Sequence, residues 1–151
     1  TYAYDDQLFK RKQFQEIAKA ISVYVRAYLD RRHWKKQDKI VMTELWVNYQ
    51  DKYQFQEYHD HRERVLSGVY YIDVPEGAPD LIIKTPLKAN FDDLWFESEE
   101  NREVNKLKVE TGDLVLFPGW LEHGVDANLL DEPRINVAFN FGIPELVHAL
   151  K

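Results

Sequence analysis

Two spacings of apolar residues divide the chain into a helical and an extended part. Between Asp5 and Leu29 the apolar residues recur close to every 3.6 positions, which predicts an amphipathic helix with Asp5 and Asp6 as candidate caps. From Ile40 onwards, apolar and polar residues alternate with a period of two, which is typical of β-strands. We therefore expect one packing helix over residues 5–29, followed by a β-rich core over about residues 40–143.

Turn residues cut the extended part into short strands. Residues 88–105 are acidic and aromatic without a clear period, so we expect a long loop there, and loops of this length are often functional. One helix followed by many short strands predicts a mainly β fold, a sandwich or barrel of the jelly-roll type, with the N-terminal helix packed on it. The strands that we expect span residues 40–49, 55–61, 67–74, 81–84, 114–117 and 134–141.

Length and composition fit one folded domain over residues 1–151. Apolar residues make up 44% of the 151 residues, which is enough for a single packed core. The net charge of -6, without a basic stripe, argues against a nucleic-acid-binding surface. The chain begins with Thr rather than Met, so an upstream strand could be missing, and the oligomeric state is not readable from the sequence.

The absence of cysteine narrows both the compartment and the chemistry. Without cysteine the chain forms no disulfide and no thiolate metal site, which is compatible with a reducing cytosol and predicts a cytoplasmic location. No apolar run approaches the ~20 residues of a membrane span, and no signal peptide is recognisable. We therefore expect a small-molecule or peptide partner rather than a nucleic acid or a membrane.

Three histidines are the candidate metal ligands. His59 and His61 are two positions apart, so on an extended chain their side chains point the same way. The third candidate is His123, which follows the turn sequence Phe117-Pro118-Gly119. Three imidazoles that leave open coordination positions suit Fe(II), Zn, Cu or Mn.

Arg134 is the second chemically informative residue, because it opens a strand whose alternate face is polar. That face carries Arg134, Asn136, Ala138 and Asn140. An arginine inside a barrel is costly unless it meets an anion, and a guanidinium binds a carboxylate through two parallel hydrogen bonds. A metal and an arginine in one cavity fit a bound keto acid. The alternative is a surface ion pair with Asp131, Glu132 or Glu122.

Other polar and aromatic residues are weaker candidates for the wall of such a cavity. Trp46, Trp120 and Phe117 suit the core or the pocket wall. Asn48 and Asn140 are polar positions on predicted strands that could meet a substrate. We expect a possible substrate pocket to include Trp46, Asn48, Trp120 and Asn140, and no catalytic residue beyond the metal ligands.

Five motifs follow one another along the chain, Trp46-x-Asn48, His59-x-His61, Ser67–Tyr71, Leu116–Val125 and Arg134–Asn140. In this order they resemble a known family, the 2-oxoglutarate/Fe(II)-dependent oxygenases of the prolyl-hydroxylase-like group, and in particular a branch found in bacteria and phages. The resemblance covers about residues 41–141 and implies a double-stranded β-helix.

The resemblance implies Fe(II) and 2-oxoglutarate as cofactors and assigns roles to single residues. His59 matches the first iron ligand of the family, and His123 matches the distal one. Arg134 and Tyr71 match the residues that hold the distal carboxylate of 2-oxoglutarate. The usual Arg-x-Ser of the family is here Arg-x-Asn, so Asn136 replaces the serine hydroxyl.

Position 61 departs from the family pattern, which has Asp or Glu there where this chain has His61. The departure leaves two interpretations, a centre of three histidines or a shift that makes Asp60 the ligand. The two-residue phase favours His61, since Asp60 points to the opposite face of an extended chain.

The resulting hypothesis is a dioxygenase that hydroxylates an unidentified substrate, peptidyl proline or a small molecule, and releases succinate and CO2. The alternative is a cupin-type metal-binding jelly-roll, an isomerase or a binding module, which also uses His-x-His and a distal His. That alternative gives Arg134 no role. A barrel that binds partners without catalysis is a third interpretation.

Overall fold

The computed structural model describes residues 5–34, 37–84 and 104–144. Within these ranges the chain forms one α-helix and eight β-strands, together with three short 3-10 turns. The helix, α1, spans Gln15–Arg31. The strands are β1 (Val41–Gln50), β2 (Gln56–His59), β3 (Leu66–Asp73), β4 (Leu81–Lys84), β5 (Val104–Leu107), β6 (Leu114–Pro118), β7 (His123–Val125) and β8 (Arg134–Gly142).

The strands form two four-stranded antiparallel sheets. The first has the order β1-β8-β3-β6 and the second the order β2-β7-β4-β5. Leu81 of the second sheet packs with Val69 and Tyr71 of the first, so the sheets enclose a core between them. This arrangement is a double-stranded β-helix with an N-terminal helix, which confirms the predicted mainly β fold class.

The helix begins ten residues later than the predicted start at Asp5. Two 3-10 turns, Leu8–Lys10 and Lys12–Phe14, precede it, with Arg11 in an extended conformation between them. The Asp6 carbonyl accepts a hydrogen bond of 2.8 Å from the Leu45 amide of β1. The backbone before the helix therefore forms a hydrogen bond with the sheet rather than within a helix. No helix in the described ranges combines the length and apolar character of a membrane span.

Helix α1 covers the outer face of the first sheet. Its buried residues Ile21, Val25 and Leu29 recur every four positions and pack with Val137 and Phe139 of β8. Successive side chains of a strand point to opposite faces, so the alternate residues of β8 point between the two sheets. The helix thus accounts for the apolar face of β8 and leaves its polar face to the interior.

Two predicted segments differ from or lie outside the described structure. The predicted loop over residues 88–105 lies outside the described residues up to position 103, and its last two residues belong to β5. The predicted extended run to His61 ends as a strand at His59, because the chain turns after Asp60 and the Arg64 amide donates to the His61 carbonyl at 2.8 Å.

Candidate metal centre

Two paired strands bring three imidazoles together, a group called the imidazole cluster below (His59, His61, His123). His59 ends β2 and lies directly opposite His123, which begins β7. His61 follows two residues after His59. One ligand atom from each of the three residues lies within 4.8 Å of the others. Ligands bound at about 2.1 Å cannot lie more than about 4.2 Å apart across one ion, so an adjustment below an ångström would complete the site.

Backbone hydrogen bonds orient two of the three rings. Nδ1 of His59 lies 2.8 Å from the Glu57 carbonyl, and Nδ1 of His123 lies 2.9 Å from the Leu121 carbonyl. Since a carbonyl only accepts, each Nδ1 carries the proton and each Nε2 keeps its lone pair for a metal. The His61 ring makes no hydrogen bond to a described residue.

Burial keeps two of these imidazoles in their neutral, metal-binding form. Loss of solvent around the ring lowers the pKa of His61 to about 4. The same cause lowers the pKa of His123 to about 4. At neutral pH both rings are uncharged, as a metal ligand must be.

Asp60, the alternative ligand at this position, does not converge with the cluster. Its carboxylate forms an ion pair with Arg62 at 2.7 Å. Among the described residues, the group whose ligand atoms meet contains His61 and not Asp60. The two-residue phase inferred from the sequence therefore matches the geometry.

The imidazole cluster lines a cavity between the sheets whose far wall is called the guanidinium end below (Arg134, Tyr71, Gln50). Arg134 is 2% exposed and Tyr71 is fully buried. The Arg134 Cζ atom lies 4.9 Å from the centre of the Tyr71 ring. The Tyr71 hydroxyl and the Arg134 Nε are both buried, and neither has a hydrogen-bond partner in the part of the chain that the structure describes.

The guanidinium of Arg134 has no carboxylate partner among the described residues. Two of the three proposed surface partners are engaged elsewhere, since Asp131 pairs with Lys52 at 2.6 Å and Glu122 pairs with Lys84 at 2.8 Å, and Arg134 itself is buried. The surface interpretation of Arg134 is therefore wrong. Desolvation lowers the pKa of Arg134 and raises the pKa of Tyr71 to about 12. A buried charge without a counter-ion costs several kcal/mol, so this end of the cavity favours an anionic ligand.

Gln50 orients the Arg134 guanidinium, and the sequence pattern does not predict it as a site residue. Its amide nitrogen donates to the carbonyls of Gln54 and Asp126 at 2.8 and 2.9 Å. Its oxygen is thereby turned to Arg134, whose guanidinium donates to it at 3.3 Å. The sequence assigns Gln50 to a turn, but it is the last residue of β1 and pairs with Arg134 across the sheet. Gln50 could have been predicted as a partner of Arg134 only if the register of β1 with β8 were known.

The remaining predicted residues divide between the cavity and the surface. Asn136, Trp46, Asn48 and Asn140 line the cavity. The Asn136 oxygen accepts from Asn48 at 3.0 Å, and the Asn48 oxygen accepts from the Trp46 indole at 3.1 Å. Trp120 is different, because its side chain is 54% exposed and does not line the cavity. It follows the turn at Gly119, which directs it outward.

A second pair of charged residues near the cluster was also missed. Arg64 forms a salt bridge with Glu44 of β1, using two of its nitrogens and both carboxylate oxygens. Burial raises the pKa of Glu44, but hydrogen bonds from Arg64 and Asn140 outweigh this and lower it. Alternation along β1 places Glu44 on the same face as Trp46, and this shared face is the signal in the sequence that could have identified Glu44 as a residue near the site.

Comparisons with known proteins identify what the whole arrangement is similar to. A family model described as "Putative 2OG-Fe(II) oxygenase" matches residues 44–140. This range contains Arg134 and the three histidines of the imidazole cluster. Among curated proteins, no sequence matches the chain.

Solved structures share the fold at low sequence identity. An oxidoreductase of the 2OG-Fe(II) oxygenase family from Burkholderia pseudomallei matches with a TM-score of 0.54 and 11% identity over 68% of this chain and 45% of that chain. The α-ketoglutarate-dependent epimerase SnoN from nogalamycin biosynthesis matches with a TM-score of 0.52 and 15% identity, over 68% and 46%. HygX from Streptomyces hygroscopicus, with nickel and 2-oxoglutarate bound, matches with a TM-score of 0.51 and 16% identity, over 68% of this chain and 56% of that chain. The chain spans about half the length of these proteins.

Proposed function

The chain belongs to the 2OG-Fe(II) oxygenase family, and from this premise we propose that it is a dioxygenase that hydroxylates a small molecule or a peptide. The family is named for the two cofactors that the sequence predicts. The substrate and the outcome of the oxidation are the part that we add.

One observation carries the proposal, the presence of two complementary sites in one cavity. The imidazole cluster offers three nitrogen ligands to a metal. The guanidinium end offers a buried cation and a buried phenol, each with a polar atom that no described residue pairs. A molecule with a chelating keto acid at one end and a carboxylate at the other fits both sites, and 2-oxoglutarate is such a molecule. The residues present therefore fit the expected cofactors.

At the metal end, the protein would hold Fe(II) through the Nε2 atoms of His59 and His123 and through the ring of His61. The backbone bonds on Nδ1 fix the first two rings before the metal arrives. Such outer partners orient metal-binding histidines and raise their basicity. Three protein ligands leave coordination positions for the cosubstrate and for O2.

At the opposite end, Arg134 and Tyr71 would hold the far carboxylate of 2-oxoglutarate. Gln50 keeps the guanidinium in place, so the anion meets an oriented donor. The carboxylate would also accept hydrogen bonds from the two donors that have no partner among the described residues, the Arg134 Nε and the Tyr71 hydroxyl. Bonds of this charge-assisted kind are about twice as strong as neutral ones.

The bound cofactors supply the oxidation itself, in which O2 hydroxylates a substrate C–H bond while 2-oxoglutarate loses CO2 and becomes succinate. The chain contributes binding, orientation and access. His59, His61 and Trp46 line both the inner cavity and an open groove on the outer side. A substrate in that groove would reach the metal face without displacing the keto acid.

The first test is Fe(II)- and 2-oxoglutarate-dependent release of succinate by the purified protein. Variants His59→Ala and Arg134→Ala should each abolish it. Release that is unchanged in either variant would overturn the proposal.

A binding measurement tests the same assignment without turnover. In a thermal-shift experiment with Mn(II), 2-oxoglutarate should raise the melting temperature of the wild type and leave that of Arg134→Ala unchanged. A cupin-type site would respond to Mn(II) alone, because it gives Arg134 no role. Peptidyl proline as the substrate and a cytoplasmic location stay predictions.

A further inference from the structure

We propose that Glu44 and Arg64 are positioning residues that hold His61 in the imidazole cluster. The inference rests on the proposed function, in which His61 is a metal ligand. Neither Glu44 nor Arg64 belongs to the cluster or to the guanidinium end, although both line the outer groove, so an effect of either residue on metal affinity would have to pass through a ligand.

His61 is the ligand that needs outside support. His59 and His123 lie on paired strands, and each ring donates to a backbone carbonyl. His61 lies beyond the end of β2, and its ring makes no hydrogen bond to a described residue. Its position therefore depends on the turn that carries it.

Backbone bonds tie that turn together, and one side chain ties it to the sheet. The His61 amide donates to the Gly119 carbonyl at 2.7 Å, and the Arg64 amide donates to the His61 carbonyl at 2.8 Å. The Arg64 side chain then reaches Glu44, with Nε donating to one carboxylate oxygen at 2.8 Å and a second nitrogen donating to the other. The two side chains are only 10% and 16% exposed.

The Glu44 carboxylate is itself fixed by the central strands of the first sheet. Asn140 of β8 pairs with Glu44 in the strand register and donates to its carboxylate at 2.6 Å. The Asn140 oxygen in turn accepts from the Ser67 hydroxyl of β3 at 2.7 Å. A continuous series of bonds thus runs from β3 through β8 and β1 to the turn of His61.

The chemistry of the pair suits orientation more than stability. A buried ion pair contributes little net stability, because desolvation offsets the attraction. A bidentate arginine–carboxylate pair does fix geometry, since the planar guanidinium accepts one arrangement of the two oxygens. Lysine cannot reproduce that arrangement. The same turn also offers a contrast, because Arg62 pairs with Asp60 at the exposed surface.

The experiment measures Co(II) affinity by absorption titration in Arg64→Gln, Arg64→Lys and Glu44→Gln, with Arg62→Gln as the matched control. Loss of an outer partner of a metal ligand typically costs about 10–100-fold in affinity. We expect that loss in all three variants, including the lysine variant that keeps the charge. The control should bind as the wild type does. Circular dichroism establishes that each variant is folded.

A double-mutant cycle shows whether the effect passes through His61. In the His61→Ala background, adding Arg64→Gln should change Co(II) affinity by less than about twofold, because the ligand being positioned is gone. The same loss in both backgrounds, or wild-type affinity in Arg64→Gln, would overturn the inference and leave the proposed function standing. A wild type that fails to bind Co(II) would overturn both.

Discussion

The imidazole cluster rests on two of the shortest strands of the fold, β2 and β7, whereas the guanidinium end rests on the long strands β1, β3 and β8. The two ends also differ in charge and exposure. His59 and His61 are partly exposed and His61 is neutral at pH 7, while Arg134 is charged and 2% exposed. The metal end can therefore adjust to its ion, and the anion end is built rigidly before any ligand arrives.

This difference separates two kinds of cost. At the guanidinium end, the ligand-free protein keeps a buried charge without a carboxylate among the described residues, which lowers its stability. At the imidazole cluster, neutral rings impose no such cost. Removing the charge at the guanidinium end should therefore raise stability and weaken ligand binding. Substitutions in the imidazole cluster should instead change metal binding or the pH dependence of stability.

The largest effect is expected from Arg134→Met. Truncating one partner of a buried charge pair costs about 2–5 kcal/mol of binding, so 2-oxoglutarate affinity should fall at least about 30-fold. The free energy of unfolding of the ligand-free protein should rise by about 1 kcal/mol, because a buried charge is removed. Calorimetry with Mn(II) present and denaturant titration measure the two quantities. The exposed Arg62→Met is the control, and a less stable Arg134→Met would contradict the asymmetry.

The next effect is a pH dependence confined to the imidazole cluster. The folded pKa values of His61 and His123 are about 4, below the usual value near 6.5. The unfolded chain therefore binds more protons between these limits, so stability is present above pH 6.5 and is lost as the pH falls toward 4. We expect a loss of up to about 3 kcal/mol for each of the two rings in the ligand-free protein, reduced by solvent screening where the ring is partly exposed. Denaturant titrations of the wild type and of His61→Gln/His123→Gln at several pH values measure it. An equal slope in both would contradict the assignment.

At the rigid end, Gly68→Ala should reduce stability. A Cβ at Gly68 would lie 2.8 Å from the Val115 carbonyl and would also strike the Phe139 ring. Overpacking of this kind costs about 1–3 kcal/mol, and β3 has little room to move because it is paired on both sides. Thermal denaturation checks the loss. Gly112→Ser is the comparison, because a Cβ there meets nothing within 4 Å but the backbone has a positive φ. Its loss of stability measures backbone strain without crowding.

The smallest effect, at the adjustable end, is expected from Gly119→Ala. A Cβ there would lie 2.7 Å from the His61 carbonyl and would also strike that of Arg64. Both carbonyls belong to the turn of His61, so that turn must shift to accept the Cβ, and the change should weaken Co(II) affinity by about tenfold, within the range seen for outer-shell changes. Wild-type affinity would show that the turn does not control His61.

The periodic parts of the site were predictable from the sequence. The spacing of two in His59-x-His61 and the polar alternation that begins at Arg134 each place side chains on a definite face, whatever the neighbouring strands are. The structure brings these residues to one cavity. The family resemblance added the role proposed for Tyr71, which an aromatic residue on a strand does not reveal by itself.

The unpredicted parts depend on contacts between distant segments. Gln50 and Glu44 acquire their partners through the register of β1 with β8, which contains an irregularity between Met42 and Glu44. The late start of α1 follows from a bond between Asp6 and Leu45. Such pairings are set by tertiary structure, and local propensity does not encode them.

The pairing of β2 with β7 makes the cofactor a cross-link between segments that are far apart in the sequence. An ion held by His59 and His123 would join those segments, and anything that binds only the folded chain stabilises it by mass action. We expect Mn(II) to slow proteolysis of the wild type and not of His123→Ala. The supply of metal would then govern how long each copy of the protein stays folded.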